Sequence, residues 1–172
     1  HAYATFRLGV EKNLFSKENE IENRSISVIR PSWVYGREGS FVGQYLRFVR
    51  KEKYVSNPVP GDAYVNFIHI DDLSRIYFLI GEQKKCGLFH GTDGKYIVGK
   101  QFVEFVAKEL NLKIQDEEQK TAYGKYGFFA LGLNINQKII SKRLSELGLS
   151  LKYSSILENF SKVLEQSDEI QN

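Results

Sequence analysis

Short β-branched runs alternate along this chain with stretches of helical periodicity, and no other property narrows the choice of fold so much. Residues 4–15 set Phe6, Val10 and Leu14 four apart with a second row through Leu8, which predicts a helix. Residues 25–31 are short, β-branched and closed by Pro31, which cannot donate to a ladder, so they predict a buried strand ending at Arg30. Trp33-Val34-Tyr35 continues extended and breaks at Gly36. A helix over 41–51 carries Phe41, Tyr45, Phe48 and Val49. Asn57-Pro58-Val59-Pro60-Gly61-Asp62 holds two of the three prolines and reads as loop. Residues 65–70 predict a second strand, after which Asp71 and Asp72 open a helix over 73–80, with Asp72 as its cap. Residues 87–91 predict a third strand closed by a Gly-Thr-Asp-Gly turn, and 100–110 a helix with Phe102, Val103, Val106 and Leu110 on one face. Residues 113–118 read as a short strand running into an acidic loop, and 123–129 as irregular. Asn136 is expected to cap a helix carrying Ile139, Ile140, Leu144 and Leu147 that stops at Gly148, and a last helix spans about 154–166.

This order implies an α/β architecture. Only three clear strands are read, however, and a parallel sheet with both faces covered normally has more. The chain therefore reads as the second half of a larger α/β protein. Its 172 residues contain no Met, so a fragment, a processed product or the ordered part of something longer is expected. Ten Tyr, twelve Phe and one Trp predict a well-filled core. The 24 Lys and Arg against 21 Asp and Glu leave a net charge of only +3, which gives no electrostatic reason to expect a nucleic-acid or membrane surface as partner. One cysteine, Cys86, rules out an internal disulfide framework, and with no His nearby it is a poor nucleophile candidate. His1, His69 and His90 are isolated and lack metal-ligand spacing. No apolar run approaches the roughly 18–20 residues that span a bilayer, and no basic start with an apolar core opens the chain. A soluble, cytoplasmic protein is expected.

Several local motifs appear in a familiar order. Tyr3-Ala-Thr-Phe-Arg7, with Glu11 downstream, resembles the Tyr-x-x-x-Lys segment of extended short-chain dehydrogenases/reductases, the NAD-dependent nucleotide-sugar epimerase/dehydratase family. Ile29-Arg30-Pro31-Ser32-Trp33-Val34-Tyr35-Gly36 is similar to that family's Arg-Pro … Val-Tyr-Gly stretch. Phe67-Ile68-His69-Ile70-Asp71-Asp72-Leu73 resembles its strand-to-helix junction. Gly87-Leu-Phe-His-Gly-Thr-Asp-Gly is similar to a later strand and turn, and 138–149 to its carboxyl-terminal helix end. The motifs cover nearly the whole chain. No Gly-x-Gly-x-x-Gly follows a strand here, and the family carries that phosphate loop near its amino terminus.

The resemblance implies the carboxyl-terminal half of a Rossmann-like parallel sheet plus a small α/β substrate-binding lobe. Residues 1–36 would end the nucleotide-binding domain and 37–66 enter the lobe. Residues 67–93 would return to the sheet, and 94–172 complete the lobe. It implies NAD or NADP as cofactor, a nucleotide sugar as substrate, and a homodimer joined through the Tyr-bearing helix. Tyr3, Arg7 and Glu11 lie four apart and share one helix face. A phenol ionises near pH 10, and a neighbouring cation favours the ionised form, which suits proton exchange with a sugar hydroxyl. By resemblance Tyr3 carries that proton and Arg7 stands where the family's Lys binds the nicotinamide ribose. Arg keeps the charge but places its donors differently. Without the resemblance, the same spacing describes an Arg7–Glu11 surface pair.

Pro31, Ser32 and Val34 would neighbour the nicotinamide, or else merely terminate a strand. Arg47 and Arg50, with Lys51 and Lys53, would meet a substrate diphosphate, or form the solvated face of an amphipathic helix. His69 would lie near the substrate cleft, or serve as a hydrogen-bonded structural residue. A second functional class also fits: an atypical family member that keeps the fold, has lost the Lys, and acts as a binding or regulatory protein, including RNA-associated ones.

Overall fold

A computed structural model describes residues 2–17, 25–37 and 39–168, with side chains for 5–17, 25–37 and 39–165. In chain order the elements are α1 (Ala2–Ser16), β1 (Ser27–Pro31), β2 (Trp33–Tyr35), α2 (Phe41–Glu52), β3 (Tyr54–Val59), β4 (Tyr64–His69) and α3 (Ile70–Glu82). They continue with β5 (Gly87–Gly91), β6 (Tyr96–Val98), α4 (Gly99–Leu110), β7 (Lys113–Glu118), α5 (Gln119–Tyr126), α6 (Phe128–Gly132), a 3-10 turn (Leu144–Leu147) and α7 (Ile156–Asp168).

The pairings are mostly parallel, as the helix–strand alternation requires. β1 runs beside β5 with Ser27 opposite Gly87 and Pro31 opposite Gly91. β2 pairs with β4, setting Trp33 opposite Phe67 and Tyr35 opposite His69, and β6 adds to β4 antiparallel. β3 and β7 form a separate parallel pair. β4 is buried on both faces, which is why Val65-Asn66-Phe67-Ile68-His69 carries so little polar alternation. Phe67 faces a large aromatic core with Trp33, Tyr45, Phe102, Phe129 and Phe160. Its neighbour Ile68 faces a smaller one with Leu73, Ile76, Ile80, Phe89 and Leu147.

Four expectations are corrected. Asn57, Pro58 and Val59 are strand rather than loop. β3 pairs only with β7 among the described residues, and a strand bonded on one side tolerates a residue without an N–H. The stretch expected to be an acidic loop and then irregular is two short helices broken at Gly127 (φ 57°), held by the burial of Ala122, Tyr126, Phe129 and Ala130. The helix expected after Asn136 is absent apart from the 3-10 turn. Its backbone bonds go instead to the edge of β4: Tyr64 N donates to Asn136 Oδ1 at 3.0 Å, Gln137 N to Tyr64 O at 2.7 Å and Ile139 N to Asn66 Oδ1 at 2.8 Å. Asp72 does not cap α3. His69 does, its Nδ1 accepting the Asp71 N–H at 3.1 Å.

Candidate functional site

β1 ends at Pro31 just before β2 begins at Trp33, and the parallel strands β2 and β4 end side by side at Tyr35 and His69. The carboxyl ends of parallel strands are where open α/β sheets bind ligands. At the end of β1, Arg30 is clamped by Glu11 of α1: Nε lies 3.1 Å from Oε2, and Nη2 adds a second, shorter bond. The hydrogen bond from Arg30 and its charge hold the Glu11 carboxyl below its ordinary pKa. Glu11 thus spends its oxygens on Arg30, and Arg7, one turn earlier on α1 and exposed, adds only a field at that carboxylate. Tyr3 lies in α1 one turn before Arg7, and its side chain is outside the described residues.

Between β1 and β2 the chain turns at Ser32, whose N–H donates to Gly91 O at 2.8 Å. The Ser32 side chain is buried, and its hydroxyl has no partner among the described residues. Such an orphan costs about 1–3 kcal/mol unless something satisfies it, so it marks a place where a hydrogen-bonding group fits. Val34 leads from this turn into an open cleft of about 510 Å³, which Gly36, Arg37, Gly39, Ser40, Phe41 and Ile70 complete. Ser40 is the N-cap of α2, its Oγ accepting the Gly43 N–H at 3.0 Å.

Beneath the cleft the packing is tight. Gly36 has φ 82°, and a Cβ there would fall 2.4 Å from His69 Nε2. Only glycine satisfies both the backbone and the contact. His69 is fully buried, stacks on Tyr153 at 3.5 Å and meets the edge of Tyr35 at 5.0 Å between ring centroids. It supports the floor and does not line the cleft. Asp72, also fully buried, accepts the N–H groups of Lys152 and Tyr153, both at 2.9 Å, and Arg75 Nη1 at 3.2 Å. It thereby fastens the segment that carries the stacked Tyr153. Arg47 and Arg50 lie on α2 outside the cleft. Arg47 is exposed, and Arg50 sits in the last turn, where a cation meets the helix dipole favourably.

Two charged residues near the site escaped the sequence reading. Arg37 follows the break at Gly36, and the signal was available: a glycine break directly after a strand, on the carboxyl edge. Asp93, in the turn after β5, has its pKa pushed up to about 7 by burial, with Glu158 adding to the rise and the Lys95 N–H and charge opposing it. The folded state therefore holds this proton more firmly than an unfolded chain, whose Asp ionises at the ordinary 3.8. The resulting stability is present in full below about pH 4 and is lost as pH rises to about 7. Asp93→Asn keeps an acceptor for the Lys95 N–H. Relative to wild type, it is expected to gain thermal stability between pH 5 and 8, as read by melting temperatures. A constant difference across that range contradicts this account.

Among the described residues, no helix is long and apolar enough to cross a membrane. No protein-family model and no curated protein matches the chain. Solved structures do. UDP-N-acetylglucosamine 4-epimerase from Methanobrevibacter ruminantium, in complex with UDP-N-acetylmuramic acid, matches over 98% of this chain and 54% of its own, at TM-score 0.72 and 16% identity. UDP-glucose 4-epimerase from Thermotoga maritima, with UDP-glucose, matches over 96% and 52%, at TM-score 0.71 and 14% identity. The human epimerase family protein SDR39U1, with NADPH, matches over 82% and 48%, at TM-score 0.67 and 21% identity. The chain spans about half the length of these structures. Its α/β fold is similar to that of about half of each of these structures.

Proposed function

We propose that this chain supplies the carboxyl-terminal half of an NAD(P)-dependent enzyme acting at a carbinol of a nucleotide sugar, as an epimerase, dehydratase or reductase. The observation that carries the reading is Ser32, at the carboxyl end of β1: a buried hydroxyl without a partner among the described residues, two positions before Val34 of the cleft. A nicotinamide carboxamide is a group that suits it, so the residues present fit the cofactor. The cofactor, when bound, accepts and returns a hydride. Tyr3, as phenolate, takes the hydroxyl proton as the carbinol carbon gives up that hydride, leaving a ketone, and later returns it. Arg7 favours the phenolate and holds the ribose hydroxyls. Pro31, with no N–H, ends the strand and frees the next turn to face the ring. The division into 1–36, 37–66, 67–93 and 94–172, the homodimer, and a small-molecule rather than nucleic-acid partner belong to the same proposal.

The chain has no Gly-x-Gly-x-x-Gly, so the cofactor's diphosphate is held by a segment outside it. The test uses the full-length protein with UDP- and dTDP-linked hexoses and either NAD or NADP, with sugar products separated by chromatography. Conversion that depends on the cofactor is expected, and none with any pairing overturns the proposal.

One observation favours a second reading. Arg7 stands in the place of the family's Lys, and its planar fork is not an ammonium. A binding or regulatory protein that keeps the fold would bind cofactor in this assay without converting any sugar.

A further inference from the structure

We propose that the outer edge of β5 is a surface on which a second copy of this chain would add its own β5, and that Arg143 is the residue that keeps this edge closed. β5 pairs with β1 and with no other strand among the described residues. The ladder fixes which groups face outward. Gly87 N donates to Ile26 O and Ser32 N to Gly91 O, both at 2.8 Å, so residues 87, 89 and 91 turn their backbone groups toward β1. The alternate residues Cys86, Leu88 and His90 turn theirs away. A row of outward N–H and C=O groups is a template for a further strand. Leu88 and His90 are only partly buried, and both line a groove of about 300 Å³ that leaves space beside them.

This edge is complementary to itself. In an antiparallel arrangement about a two-fold axis beside Phe89, Leu88 of one copy faces His90 of the other, and each such pair exchanges its N–H···O bonds in both directions. Each pair needs a free Leu88 carbonyl. Arg143 takes that acceptor first: its Nη1 donates to Cys86 O at 2.9 Å and reaches Leu88 O at 3.4 Å. The other side of the guanidinium is held by Glu146, with Nε 2.9 Å from Oε1 and Nη2 2.8 Å from Oε2. This bidentate pair fixes the plane in which Nη1 points at the strand. The guanidinium carbon also lies 4.1 Å from the centre of the Phe89 ring, a cation–π contact. Gly87 permits the approach, since it has φ 95° and a Cβ there would fall 2.8 Å from Nη1. The guard therefore joins residues 86–89 to residues 143–146, and it occupies both the carbonyls and the space that an incoming strand requires.

The test is sedimentation equilibrium of the full-length protein over a range of concentrations, with circular dichroism confirming that each variant is folded. Whatever oligomer wild type forms is the baseline. Arg143→Ala is expected to self-associate beyond it with an association constant raised about tenfold, the factor that one or two net hydrogen bonds give. Hydrogen exchange should then show the Leu88 and His90 amides protected in the associated form. Arg143→Lys keeps the charge but loses the fork that Glu146 orients, and is expected to fall between wild type and Arg143→Ala. Glu146→Gln keeps the guanidinium and weakens its clamp, so it is expected to shift the same way by less. His90→Pro removes an outward N–H from an edge that tolerates proline, so adding it to Arg143→Ala is expected to restore the baseline. An Arg143→Ala protein that associates no more than wild type overturns the proposal. So does an increase that His90→Pro leaves unchanged, because the new contact then lies elsewhere. If Arg143→Ala fails to fold, Arg143→Lys and Glu146→Gln carry the test by the same two criteria.

Discussion

Tyr3→Phe is expected to lower cofactor-dependent turnover of the full-length protein by about 10²–10⁴-fold, the usual contribution of a positioned proton carrier. The substitution deletes one hydroxyl and keeps the ring, so substrate and cofactor affinities should change little while kcat falls. That split separates lost chemistry from lost binding. Arg7→Lys gives the matching measurement. If the guanidinium serves as the cation beside the phenol, the ammonium keeps the charge, and the pH dependence of kcat shifts instead of disappearing. Equal kcat for wild type and Tyr3→Phe removes Tyr3 as the proton carrier and leaves another group to move that proton.

Asp72→Ala is expected to destabilise the fold by about 2–5 kcal/mol, read by chemical denaturation. The Asp72 carboxylate is fully buried and satisfies the N–H groups of Lys152 and Tyr153. The buried Tyr153 N–H, left without an acceptor, costs about 1–3 kcal/mol, the partly buried Lys152 N–H adds to it, and alanine offers an acceptor to neither. Arg75 suffers less, because its side chain is half exposed and it also donates to Ser150 O at 3.0 Å. The loss should reach the cleft floor, since Tyr153 is the ring stacked on His69. Asp72→Asn keeps one acceptor oxygen and is expected to lose less than Asp72→Ala. A change below about 1 kcal/mol in Asp72→Ala would show that the segment at 152–153 is held by its apolar contacts instead.

The roles of Asp72 and His69 show how far sequence reasoning reaches. Two acidic residues at the start of a helical pattern do suit its N-terminus, and α3 does begin there with Asp71 and Asp72 in its first turn. The cap itself is His69, a residue type rarely chosen for that work, freed for it because its ring is already fixed between Tyr35 and Tyr153. β3 was missed for a related reason. Pro58 argues against a strand from its own chemistry, and the pairing of β3 with β7 alone among the described residues makes that chemistry harmless. The segment after Asn136 has helical spacing, yet Tyr64 and Asn66 offer its backbone better partners than its own next turn.

Regular periodicity, turn glycines and motif order depend on residues a few positions apart. The amino-acid sequence by itself therefore determined the α/β class, the helices α1 to α4 and α7, the strands β1, β4 and β5, and the likeness to half of an epimerase/dehydratase. Tertiary structure decided which carboxylate is buried, which imidazole caps, and which arginine reaches the cleft. The bonds that settle those questions join groups as far apart as Asp72 and Lys152, 80 residues along the chain, and no local rule specifies them.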